Sequence, residues 1–119
     1  MNPREQSFLV KNNRYRVNDE KKLKRLSTIE IRVGLKSLDN WQYSPEKKAI
    51  TVKCRMKDFK AVIRAIQKIA KLAEKAEHHP DLYLTRYKHL KILLTTHEAR
   101  GVTDRDFRLA RQINIRGTR

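Results

Sequence analysis

The chain has 119 residues, 39% of them hydrophobic, which suits one compact domain with a modest core and leaves little for a second. Its 29 Lys and Arg stand against 13 Asp and Glu, a formal charge of +16 that favours anionic neighbours such as nucleic acid, membrane surfaces or acidic proteins without deciding the fold. The lone cysteine, Cys54, excludes an intrachain disulfide framework, and no apolar window reaches the length needed to span a bilayer.

Residues 1–18 carry few large apolar side chains and several basic ones, so a flexible basic arm is expected there, followed by one domain over 19–115 and a basic tail at 116–119. The start lacks the apolar core of a secretory signal. With a single cysteine the expected compartment is the cytoplasm, and the basic, acid-poor run to Arg32 makes the mitochondrial matrix the alternative. From Asp19 onward, Leu23, Leu26 and Ile29 to Ile31 are spaced to bury one face of a short leading helix before a turn at Gly34. The stretch WQYSPEKKAITVKCR reads as a hairpin: Trp41 and Tyr43 share a face of the first strand, Pro45 to Lys48 turn, and Ile50, Val52 and Cys54 share the packed face of the return strand.

Asp58 is placed to cap a long helix running to about Glu77, with Phe59, Val62, Ile63, Ile66, Ile69, Ala70 and Ala73 as its apolar stripe. His79 precedes Pro80, which disfavours helical dihedrals and ends the element. DLYLTRY is then extended, and KHLKILLTT alternates Leu90, Ile92 and Leu94 against His89, Lys91 and Leu93, giving a second strand pair. After Gly101, Thr103 caps a last short helix whose Phe107 and Ala110 face the sheet. The sum is a two-layer α+β fold: a four-stranded antiparallel sheet with helices packed on one face, in the order strand-strand-helix-strand-strand-helix after a leading helix. Its edge strands invite pairing between protomers.

Three histidines are placed for chemistry: His78 and His79 where the long helix ends, and His97 just after the last strand. One ordinary use is a positive charge at a helix C-terminus and a polar strand end. A sharper use follows from adjacent residues leaving a helix in different directions, so that they line separate walls of a cleft that a returning strand closes with His97. Imidazoles so grouped supply both a proton donor and a proton acceptor near neutrality. Zinc is the rival, but an adjacent pair is a poor chelate and the usual ligand spacing is missing, so no metal is expected. Glu74 stands one turn before His78 and can orient it, and Asp106 in the first turn of the last helix can position a pocket histidine. Trp41 can stack on a flat heterocycle or serve as core. No glycine-rich phosphate loop, CxxC pair or serine nucleophile elbow is present.

The stretch AEKAEHHPDLYLTRYKHLKILLTTHEARGVTDRD, from Ala73 to Asp106, resembles the pterin-4a-carbinolamine dehydratase family, whose members are also known as dimerisation cofactors of a homeodomain transcription factor. The family pattern is an acid, HHP, an aromatic, a histidine and an aspartate, met here by Glu74, His78, His79, Pro80, Tyr87, His97 and Asp106. The resemblance implies dehydration of 4a-hydroxytetrahydropterin to quinonoid dihydropterin without a metal or organic cofactor, as a step of tetrahydrobiopterin recycling. Carried over, His78 and His97 handle the protons, His79 binds and orients the pterin, Trp41 lines the pocket, and Glu74 and Asp106 support the imidazoles, with Asp106 expected beside His97. Departures from the pattern are Asp81-Leu82-Tyr83 after HHP, a longer spacer before Tyr87, and Lys91 where many relatives have histidine.

The resemblance also implies a homodimer or homotetramer. The alternative function is a noncatalytic binding or assembly protein on the same scaffold, docking to RNA, a ribonucleoprotein or an acidic protein through Lys21, Lys22, Lys24 and Arg25 and the tail arginines 111, 116 and 119.

Overall fold

A computed structural model describes residues 23–113, and the expected arm over 1–18 and tail over 116–119 lie outside them. In chain order the elements are helix α1 (Thr28–Leu35), strands β1 (Gln42–Ser44) and β2 (Ala49–Arg55), helix α2 (Phe59–Ala76), strands β3 (Asp81–Thr85) and β4 (His89–Leu94), a 3-10 turn (His97–Ala99), and helix α3 (Asp104–Ile113).

The sheet is antiparallel throughout, in the order β1-β2-β4-β3. Period-two alternation sends Ile50, Val52 and Cys54 of β2 and Leu90, Ile92 and Leu94 of β4 into the core beneath the helices, while Lys53, Arg55, His89 and Lys91 occupy the other face. Leu93, on that other face, is buried as well. The expected two-layer α+β architecture is present.

α1 begins later than its leucines suggest. Ser27 and Glu30 form a capping box, each side chain accepting the other residue's backbone N–H, so the helix starts at Thr28. Leu23 and Leu26 precede it, and the Leu26 N–H donates to the Val102 carbonyl. Ile31 points into the core while Ile29 is exposed. Gly34 lies within α1 rather than in a turn. A Cβ there would stand 2.8 Å from two ring carbons of Phe107, so the glycine permits close approach of α1 to α3.

Asp58 caps α2 by accepting the Ala61 N–H. The buried stripe is Val62, Ile69 and Ala73, flanked by Ala65, Ile66 and Leu72. This is rotated from the expected one: Phe59 is 50% exposed, Ala70 is exposed, and Ile63 is half-buried. Residues 59, 63, 66 and 70 form a second row at helical spacing beside the first, and only Ile66 belongs to both. Full burial of each large aliphatic side chain in the packed row contributes about 1.5–3 kcal/mol.

β3 stops at Thr85, earlier than the extended reading of DLYLTRY. Arg86 and Tyr87 both have left-handed backbones, φ 49° and 53°, and turn the chain back into β4. No helix among the described residues is long and apolar enough to cross a membrane.

Candidate active site

The site forms where three chain segments end. α2 closes at Glu77, whose backbone is left-handed (φ 53°, ψ 42°); its N–H donates to the Glu74 carbonyl and the His78 N–H to that of Ala73. These two bonds are the Schellman arrangement. They fix the backbone of His78 against the last turn of α2 and let Pro80 launch β3 immediately afterwards.

The second segment leaves β4. Thr95 donates its hydroxyl to the Lys48 carbonyl, Thr96 bridges to Gly101, and His97 opens the 3-10 turn between them. The third is the start of α3. There the Thr103 hydroxyl accepts the Arg105 N–H while the Asp106 carboxylate accepts the Thr103 N–H, a capping box with aspartate in the third position.

Asp106 is fully buried, and its partners account for it. One carboxylate oxygen accepts from Thr96 Oγ1 at 2.8 Å and from the Thr103 N–H at 2.9 Å; the other lies 2.6 Å from His78 Nε2. Thr96 has a single hydroxyl proton, which goes to the carboxylate. The Thr103 hydroxyl, 2.8 Å from Thr96 Oγ1, therefore donates to that oxygen. A carboxylate only accepts, so His78 carries a proton on Nε2, and its neutral ring has the lone pair on Nδ1. His78 is itself 8% exposed, at the edge of a cleft of about 170 Å³ lined by Glu77, His78, His79, Thr95, His97, Glu98 and Arg105.

The three histidines expected to meet do so at this cleft. Their supports differ from expectation. Asp106 was expected beside His97 and instead binds His78, because the capping box turns its carboxylate inward, toward the end of α2. Glu74 was expected to orient His78 and instead pairs with His79, 2.6 Å from Nε2, since the left-handed Glu77 breaks the helical spacing that would have put Glu74 under His78. That pair is exposed on both sides and holds His79 only loosely.

Trp41 is a correction of a different kind. It stands before β1, at the opposite edge of the sheet from β3, and is buried in the hydrophobic core rather than lining the cleft. Pro80 is half-buried where β3 begins and does not line the cleft either, and Tyr87 is 58% exposed in the β3–β4 turn. Arg105 at the cleft and Thr96 beneath it are not among the residues expected at the site, and Glu77 and Thr103 are expected only as a helix end and a helix cap. The signal for Thr103 and Arg105 is the T-D-R-D box at Thr103 to Asp106. Among the described residues no group of three His, Cys, Asp or Glu is arranged to hold a metal ion.

Residues 24–115 match the family model described as pterin 4 alpha carbinolamine dehydratase. The chain belongs to the pterin-4a-carbinolamine dehydratase family. Among curated members of that family, a "Putative pterin-4-alpha-carbinolamine dehydratase" of Aquifex aeolicus is 39% identical over 92 residues, covering 77% of this chain and 90% of the relative. Another of the same description, from Brucella ovis, is 36% identical over 90 residues, covering 76% and 92%. The dehydratase fold is also met in a crystal structure described as a transcriptional coactivator/pterin dehydratase from Brucella melitensis, with a TM-score of 0.72 at 35% identity over 76% of this chain and 96% of that one.

Proposed function

We propose that this dehydratase, which converts 4a-hydroxytetrahydropterin to quinonoid dihydropterin and water, does so at the cleft between the end of α2 and the turn after β4. In that reaction the C4a–O bond breaks, the hydroxyl leaves as water after gaining a proton, N5 loses its proton, and a C4a=N5 double bond forms. One acid and one base, facing the substrate from different walls, suffice.

The observation that carries this reading is the His78–Asp106 bond within its buried threonine frame. With Nε2 committed to the carboxylate, His78 presents Nδ1 as a proton acceptor, and Asp106 stabilises the imidazolium that results. His97, across the cleft, is the proton donor to the leaving hydroxyl. His79, held through Glu74, binds and orients the pterin, and Arg105 offers further donors at the same wall. The direct test is the pH profile of kcat for the wild type, His78→Ala and His97→Ala. This assignment expects the limb for the basic group to vanish in one variant and that for the acidic group in the other; two unchanged profiles would overturn it.

The same reading includes a homodimer or homotetramer in the cytoplasm or mitochondrial matrix. The support for the oligomer is the sheet, which among the described residues leaves β1 and β3 as outer strands; the compartment rests on the single cysteine and the basic composition.

A further inference from the structure

We propose that the face of the sheet turned away from the helices, across β2, β4 and β3, docks single-stranded nucleic acid. The register sets Lys53 of β2 opposite Lys91 of β4, and Lys91 opposite Tyr83 of β3; one step along the same face, Arg55 stands opposite His89. With Arg86 these residues line a groove of about 650 Å³ that shares no residue with the catalytic cleft.

Two like charges directly opposite each other weaken a sheet. Among the described residues no carboxylate stands within ion-pair distance of Lys53, Arg55, Arg86 or Lys91, the pairs found being those of His78 and His79. The cationic rows therefore work against the fold locally and call for an anionic partner. The chain's formal charge of +16 points the same way.

The aromatic component selects among anions. Tyr83 is 44% exposed, and the Lys91 ammonium lies 5.3 Å from the centre of its ring. A flat ring beside a cation matches a base beside a phosphate. Successive positions on this face are about 6.6–6.8 Å apart along a strand, comparable with the phosphate spacing of an extended single strand. A duplex keeps its bases stacked inside and offers nothing to Tyr83, and an acidic peptide has phosphate-like charge but no bases.

The test is fluorescence anisotropy of a labelled 12-nucleotide oligouridylate with the full chain over a range of salt concentrations. Dehydratase turnover serves as the check on folding. Lys53→Ala with Lys91→Ala should lower the slope of log affinity against log salt by about 1.4, while Lys53→Arg with Lys91→Arg keeps it. Tyr83→Ala should weaken binding about fivefold or more, with Tyr83→Phe near wild type, and turnover should be unchanged in all four. Absence of binding, wild-type affinity and slope in the alanine variants, or equal competition by duplex RNA or polyglutamate would overturn the proposal.

Discussion

His78 Nε2 stands 2.6 Å from a carboxylate oxygen of Asp106, joining the end of α2 to the start of α3 at a fully buried acid. The bond orients the ring and decides its tautomer. It also ties the geometry of the proposed site to the fold, because the same carboxylate closes the first turn of α3.

Asp106→Asn separates charge from shape. An amide turns one accepting oxygen into a donor, so either His78 or the Thr96 and Thr103 donors must face an N–H. We expect kcat to fall by about 10²-fold or more and stability to drop by about 1–3 kcal/mol, read by stopped-flow kinetics and urea unfolding. Glu74→Gln at the exposed pair should change stability by less than about 0.5 kcal/mol.

Glu77 holds a left-handed backbone, φ 53°, a conformation that glycine adopts without steric cost. Replacing it by glycine removes a steric cost of about 1 kcal/mol, partly offset by the greater freedom of the unfolded chain. The urea midpoint of Glu77→Gly should rise without a change in the slope of the transition.

Gly34→Ala should destabilise by about 1–3 kcal/mol through overpacking against Phe107. The same unfolding experiment checks it. A paired Phe107→Leu substitution should recover part of the loss, since it removes the ring carbons the new methyl group meets.

The Ser27 N–H donates to the Glu30 carboxylate and holds its pKa below the ordinary carboxyl value. A depressed folded pKa stabilises the protein above the unfolded value, and the benefit fades as pH falls through the folded one. Glu30→Gln should therefore lower the unfolding midpoint at neutral pH, and its gap from wild type should narrow on acidification below about pH 4.5.

The fold was legible where side-chain period and burial agree. Ile50, Val52 and Cys54 alternate, Asp58 caps, and Pro80 stops α2, all from local rules. What local rules could not supply was direction at the ends. Asp106 was recognised as an early-helix acid, yet its partner depended on a capping box that turns the carboxylate away from His97. Glu74 looked adjacent to His78 because the four-residue spacing assumes a continuous helix, and Glu77 breaks it. Residue type leaves Trp41 open between stacking on a heterocycle and core, and the resemblance implies the pocket, whereas its place before the edge strand β1 puts it in the core. The network of Thr96 and Thr103 involves residues seven apart across a bridged loop, a closure that no periodicity announces.

The most direct test of the account is the rate of 4a-hydroxytetrahydropterin dehydration, in excess of the spontaneous reaction, for the wild type and for folded His78→Ala and His97→Ala. General acid–base catalysis by this pair predicts fast wild-type turnover and a loss of about 10²–10⁴-fold in each variant. Wild-type rates in both variants would contradict the assignment, and a folded wild-type protein with no acceleration would contradict the dehydratase reading itself.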